Sequence, residues 1–417
     1  MLDVAAVRDH FPALAREAVY FDNPGGTQIC REALGRIHQY LQDTNANQGG
    51  AFRTSRDSDA LVERARSAAA DFLNASRSEE IIFGPNMTSL TFQLSRSLAR
   101  RLEPQDEIVV TCLDHDANIA PWLLAAQERG CRVRWLDIDV EDCTLKIQDL
   151  ERLLNPRTRL VALGMASNAV GTVNDVRKVV ELARAVGAWV YVDAVHFAPH
   201  GPIDVQELGC DFLVCSAYKF FGPHLGILYG RLERLEELPA YKVRPADNRP
   251  PHKFETGTPS FEAIAGLLGA LEYLAWLGET FGPATPEKAA EPLRDRRLVL
   301  TKAMEAIRAY EATLARRLLE RLAGIPGLRI WGIADPDRVE ERVPTVSFTL
   351  EGRGPRQVAE ALDRRGIYAW DGNHYALALS ERLGLEPKGG TVRVGPVHYN
   401  TLEEVDRFAS ALLPLAH

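Results

Sequence analysis

The chain has 417 residues, 46% of them hydrophobic and 25% charged, a globular balance that excludes a disordered or fibrous polymer. At this length two domains with one large core are the natural expectation. The formal charge of −8 mixes both signs with no Lys/Arg block, which points away from nucleic acid and from an anionic membrane surface.

The opening stretch, MLDVAAVRDHFPALAREAVYF, carries charges where a signal peptide needs an apolar core. The six cysteines (Cys30, Cys112, Cys131, Cys143, Cys210, Cys215) are scattered without metal-type pairing and read as reduced thiols of a cytoplasmic protein. Short apolar runs then predict strands: IIF at Ile81, EIVVTCL at Glu107, VRWLDI at Val133, LVALGMA at Leu160, WVYVDAV at Trp189, DFLVCSA at Asp211 and GILYGR at Gly226. Helical stretches such as APWLLAAQERG from Ala120 and DVRKVVELARAVGA from Asp175 alternate with them. This is the pattern of an α/β fold, a mostly parallel sheet covered on both faces, whose ligands bind beyond the carboxyl ends of the strands. AIAGLLGALEYLAWLG from Ala263 is interrupted by Glu272 and reads as a buried helix. From Gly278 to Leu322 the chain turns charged, Ala-rich and helical, and GETFGPATPEKAAEPLRDRR looks like an exposed excursion joining two domains. LRIWGI at Leu328, TVSFTL at Thr345 and TVRVGPV at Thr391 are further strands, and EEVDRFASALL closes a smaller α/β domain.

Polar residues collect where these strands end. FGPNMTSLTFQL from Phe83 passes from strand to helix, and free amides with Thr88 suit a phosphate there, or form a plain N-cap. His115 follows the Glu107 run; it can stack on a flat ring and move protons, or be an ordinary loop histidine. Asn168, after the Leu160 run, suits a ring oxygen or a carboxylate, or forms a turn. The Trp189 strand ends in Asp193 and then His196; the next ends in Ser216, Tyr218 and Lys219. A lone carboxylate there is often a cap and a lone lysine is usually solvated. Together they supply an acid for a protonated pyridine nitrogen and an amine able to form an imine. A lysine near a hydroxyl and buried apolar residues has its pKa lowered toward a nucleophile's. Neither GxGxxG after a strand nor GxxxxGK[ST] is present.

These segments, with YFDNPGGTQ at Tyr20, DHDANIAPW, MASNAVGT, FETGTPSFEAIAG and HYNTLEEVDRF at His398, resemble the class V aminotransferase group of fold-type I pyridoxal-phosphate enzymes. The likeness covers nearly the whole chain and is strongest to the cysteine desulfurase and selenocysteine lyase branch. It implies a large domain built on a mostly parallel, seven-stranded type of sheet over residues 21–278. It also implies a small C-terminal α/β domain with its helical linker over 279–417, and an N-terminal segment, 1–20, packing with the small domain. The resemblance makes Lys219 the Schiff-base lysine, Asp193 the partner of the pyridine nitrogen and His115 the residue stacked on the ring. It gives phosphate to Thr88, Ser216 and the Met87 amide, and makes Thr258 a reach into a neighbouring subunit's phosphate site, hence a homodimer. Arg393 pairs with the substrate α-carboxylate, and Asn168 serves cofactor and substrate.

The departures matter as much. This chain has His196 where that branch usually carries Gln, and Tyr218 where it carries His. Both would bond the ring oxygen or phosphate. Trp370 stands where an Arg is usual and Tyr375 where the sulfur-accepting cysteine is usual, and no cysteine follows Cys215. The expected enzyme therefore acts on an amino acid or small amine, by a lyase-type reaction without a cysteine persulfide. Transamination and epimerisation are the alternatives. A non-catalytic scaffold fits poorly with Lys219, Asp193, His115 and Asn168 together. The stretch IYAWDGNHYALAL is read as a loop presenting Trp370, Asp371, His374 and Tyr375 to the substrate, or else packing the small domain on the large one.

Overall fold

The structure is a computed structural model and describes residues 2–283 and 295–416. Residues 284–294 of the expected excursion lie outside the described residues. After a short strand β1 (Val19–Tyr20) come the strands of the large sheet: β2 (Ile81–Gly84), β3 (Glu107–Thr111), β4 (Arg132–Leu136), β5 (Thr158–Gly164), β6 (Trp189–Asp193), β7 (Phe212–Ser216) and β8 (Gly226–Gly230). Their order is β2-β8-β7-β6-β5-β3-β4. All pairings are parallel except those of β8, which runs against both β7 and β2.

The central strands are buried along their whole length because helices cover both faces, so their sequences are unbroken apolar runs rather than alternating ones. Helix Val176–Ala185 shows the complementary pattern, burying Val176, Val179, Val180 and Ala183 on one stripe. Helix Phe261–Phe281 is long and apolar enough to cross a membrane, but most of it is buried, packed against helices Arg31–Asp43 and Arg296–Ala323. The expected strands are all present. Several end one or two residues early because the chain leaves the sheet there to build loops beyond its carboxyl edge.

The C-terminal portion holds β9 (Leu328–Trp331), β10 (Val346–Leu350), β11 (Ile367–Tyr368), β12 (Trp370–Gly372) and β13 (Thr391–Val394). Four of these form an antiparallel sheet, β12-β13-β10-β9, over a second core that includes Leu318, Val346, Phe348 and Phe408. β11 instead pairs in parallel with β1, joining the start of the chain to this portion, and Arg8 bonds Glu404 at 3.0 Å. Phe11 meanwhile packs edge-on against Phe221 and Tyr273 of the large core. Reading IYAWDGNHYALAL as a loop is corrected here: it holds the strands Ile367–Tyr368 and Trp370–Gly372 and the start of helix Leu377–Arg382, leaving Ala369 and the turn at 373–376 irregular.

Candidate active site

Five strand ends converge on one cleft, lined by residues that follow β2 (Met87, Thr88), β3 (Asp114, His115), β5 (Ala166, Asn168), β6 (Asp193, Val195, His196) and β7 (Tyr218, Lys219). The parallel register sets Gly164 beside Asp193 and Asp193 beside Val214, so these loops leave the sheet along one edge.

Lys219 and Asp193 are both more than nine-tenths buried. The Lys219 Nζ donates to the backbone carbonyl of Pro24. Burial, with the nearby Arg393 guanidinium, pulls its pKa down to about 7, and Asp193 only partly offsets this. Burial pushes Asp193 up to about 6, against the Val195 amide, which donates to Oδ1 at 2.9 Å, and the Lys219 charge. These are shifts of desolvation first and of charge second.

The side of the cleft next to Met87 and Thr88 is shaped by β8. Gly226 lies opposite Ser216, and a Cβ there would sit 2.5 Å from the Asn86 backbone carbon. Its absence lets the start of helix Met87–Ala99 close on the sheet, where the Met87 amide donates to Ser216 Oγ at 3.2 Å and Asn86 caps Ser89 at 2.8 Å. Thr88 is on the first turn, among amides that have no partner inside the helix.

The His115 loop is anchored by a residue that sequence reasoning missed. Asp114 is buried and accepts from Thr111 Oγ1 at 2.9 Å, Asn118 Nδ2 at 2.8 Å and the Gly164 amide at 2.9 Å. Burial pushes its carboxyl up to about 7. A second acid beside His115 at a strand end was the available signal. The His115 ring stacks on Tyr375 with centroids 5.4 Å apart and planes 15° from parallel, and burial holds its pKa down to about 4. Tyr218 stacks on His224 at 4.8 Å.

On the opposite side, β13 and its neighbours grip the turn after β5. Arg393 Nη1 donates to the Asn168 carbonyl at 2.7 Å, and Asn168 Nδ2 donates to the His374 carbonyl at 2.7 Å. Arg393 Nε and Asn168 Oδ1 are buried with no hydrogen-bond partner among the described residues. His196 Nε2 contacts Thr345 Oγ1 at 2.9 Å, a small-domain partner that no sequence signal marked.

Two of the expected substrate contacts are corrected. The His374 ring turns away from the cleft, bonding Thr391 Oγ1 at 3.0 Å and lining a separate small cavity with Ala169 and Ser347. Asp371 is drawn off by Arg356, at 3.1 Å. Both follow from the backbone: Gly372, His374 and Tyr375 all have positive φ, so the turn points Tyr375 at the mouth and His374 inward. Tyr375 is 73% exposed over His115, and Trp370 is 49% exposed with its indole donating to the Asp22 carbonyl at 3.1 Å. Thr258 is exposed and does not line the cleft of its own subunit.

A buried amine and a buried carboxylate past the ends of neighbouring strands, beside a helix start, suit a cofactor that forms an imine and carries a basic ring nitrogen. The sequence pattern of the family described as Aminotransferase class-V matches residues 19–296 and 297–408. A probable cysteine desulfurase of Mycolicibacterium paratuberculosis is 36% identical over all of this chain, which spans 58% of that relative's length. The aminotransferase-like protein FGM3 of Gibberella zeae is 34% identical, with 97% of this chain and 96% of that protein covered. The apo structure of a cysteine desulfurase from Thermococcus onnurineus superposes with a TM-score of 0.86 at 27% identity, covering 100% of this chain and 98% of that one. This chain belongs to the class-V aminotransferase family and is a pyridoxal 5′-phosphate-dependent enzyme.

The residues present fit that cofactor. Asn168 Oδ1, which lines the cleft, is buried without a partner among the described residues and is costly to leave bare. The helix start offers the Thr88 amide to an anion, the Met87 and Ser89 amides being bonded to Ser216 and Asn86, and Asp193 has one oxygen without a hydrogen bond among the described residues.

Proposed function

We propose that this enzyme acts on an amino acid or small amine in a lyase-type reaction, β-elimination at a C–S or related bond, without a cysteine persulfide. The observation that carries the reading is the buried amine–carboxylate pair of Lys219 and Asp193 facing one cleft with Asn168, whose carbonyl accepts from Arg393 Nη1 at 2.7 Å. Pyridoxal phosphate, when bound, supplies an electron-withdrawing ring that stabilises negative charge at the substrate's α-carbon.

In this reading Lys219 holds the cofactor through Nζ and later, as a neutral amine, takes the α-proton. Asp193, as a carboxylate, would pair with the ring nitrogen and hold a proton there. His115 would cover one ring face. Met87, Thr88 and Ser216 hold the phosphate, and His196 and Tyr218 hold polar atoms of the cofactor. Arg393 and Asn168 orient the substrate carboxylate. Tyr375 and Trp370 narrow the mouth and exclude water; His374 and Asp371 act through the fold of the turn. Thr258 completes the phosphate site of a second subunit in a homodimer.

The thiols support a reaction without persulfide. Burial pushes Cys30, Cys143 and Cys210 up to about 12 and Cys112 up to about 11, far from the thiolate a sulfur acceptor needs. Tyr375 stands where that acceptor is expected. The relative named aminotransferase-like favours transamination as the second reading, with epimerisation beside it, because all three begin with proton removal by Lys219. The test is a panel of amino acids followed by assays for pyruvate, ammonia, sulfide and keto acids, repeated after alkylation of accessible thiols. Elimination products undiminished by alkylation are expected. A stoichiometric persulfide on any cysteine during turnover with cysteine overturns the reading.

A further inference from the structure

We infer that Thr345, reaching in from the small domain, fixes the tautomer of His196 so that the ring proton sits on Nδ1 and is offered into the cleft as a hydrogen-bond donor. Thr345 is fully buried, and its hydroxyl must spend its proton on an acceptor. Among the described residues its one partner is His196 Nε2, at 2.9 Å. A hydroxyl both donates and accepts, whereas one imidazole nitrogen does only one of these. The hydroxyl therefore donates, Nε2 accepts, and a neutral ring carries its hydrogen on Nδ1. Nδ1 has no protein partner among the described residues, and the ring lines the cleft.

The ring is neutral because it is buried and because His200, Lys219, Arg393 and His115 surround it with actual or potential positive charge. His200 is itself taken by Glu311, at 2.7 Å, and leaves His196 only a ring contact at 5.6 Å.

The hydroxyl has little freedom to leave. The Thr345 carbonyl accepts from Arg342 Nη2 at 2.5 Å, and Arg342, buried without a carboxylate partner, also donates to the carbonyls of Val170 and Ile333. Two glycines make room. A Cβ at Gly395 would lie 2.9 Å from Thr345 Oγ1, and one at Gly171 would lie 2.4 Å from the Thr345 carbonyl oxygen. Thr345 is thus a positioning residue, acting through His196, and the donor it sets up suits an electron-rich oxygen such as the ring oxygen of the cofactor. This holds whichever reaction the enzyme runs.

The test is nitrogen NMR of histidine-labelled full-length enzyme, cofactor-free and loaded, with the His196 signals assigned by their loss in H196Q. The expected result is a bare Nε2 and a protonated Nδ1 in the cofactor-free wild type. Thr345→Val, which keeps shape and deletes the hydroxyl, should give a mixed tautomer and weaken cofactor binding about 5-fold, the worth of one hydrogen bond. It should also shift the pH titration of the bound chromophore. Thr345→Ser should restore all three. A protonated Nε2 in the wild type overturns the inference. So does a Thr345→Val enzyme whose nitrogen signals, affinity and chromophore titration match the wild type.

Discussion

At the scale of the residue, the cleft works by desolvation. Lys219 has its ordinary amine pKa drawn down to about 7 because water is excluded and Arg393 repels a second cation. The sign is direct: below about 7 the amine is protonated and inert, and above it the amine is neutral and nucleophilic. In the cofactor-free enzyme Lys219 should react with a small amine-selective acylating reagent near neutral pH, while exposed lysines wait until near pH 10. Peptide mapping across pH 5–10 checks this, and borohydride reduction of the loaded enzyme should place the cofactor on the same lysine. A label on another lysine removes Lys219 from the chemistry. Arg393 and His374 make the complementary pair. Arg393→Ala should weaken amino-acid binding by about 10- to 100-fold, the worth of a charged hydrogen bond, and leave cofactor content unchanged. His374→Ala, whose ring faces Thr391 rather than the cleft, should keep rate and specificity and lose only stability, read as a lower Tm.

At the scale of the element, the site depends on how closely a helix start can approach a sheet. Gly226 is where that approach is decided, since an added Cβ would meet the backbone of Asn86 at 2.5 Å, and backbone cannot step aside. Gly226→Ala should cost about 1–3 kcal/mol of stability by overpacking, and should lower cofactor affinity by moving Met87 away from Ser216. Gly35→Ala is the control: that glycine lies inside helix Arg31–Asp43 with open space where a Cβ would go, and should gain about 0.5–1 kcal/mol. Thermal melts and cofactor titrations of both variants read the two effects. The same physics explains what the sequence made legible. Buried parallel strands must be continuous apolar runs, so β3, β5, β6 and β7 stand out, and with them the polar residues just past their ends. β11 and β12 span only two and three residues and carry Tyr, Trp, Asp and Gly, so no period marks them. The inward turn of His374 was invisible because it follows from successive positive φ values at non-glycine residues. Thr345 was hidden because its partner is 149 positions away.

At the scale of the molecule, the cleft is lined by the large-sheet portion, braced from behind by the C-terminal portion and, in our proposal, completed by a second chain. Arg393 and Trp370 come from the C-terminal sheet and Thr345 stands just before β10; Trp370 and Ser347 flank Arg393 in register on one face. Ser347 Oγ ties that face to the Ala169 carbonyl, in the turn after β5, at 2.7 Å. Thr258 lies exposed in a short segment just before helix Phe261–Phe281, where a neighbouring subunit would bring it to a phosphate. If it does, cofactor affinity is linked to association, because a ligand held by two chains stabilises their pairing. Sedimentation of the wild type should show a dimer, and dilution into monomer should release cofactor. Thr258→Ala should weaken cofactor binding about 10-fold, one hydrogen bond to a charged group. The sharper test mixes Thr258→Ala with Lys219→Ala subunits. A hybrid dimer then holds one doubly damaged site and one intact site, made of Lys219 from the first subunit and Thr258 from the second. Recovery of one tight cofactor site per hybrid dimer is the expected outcome. If mixing recovers none, or if the wild type binds cofactor tightly as a monomer, Thr258 does not act across subunits.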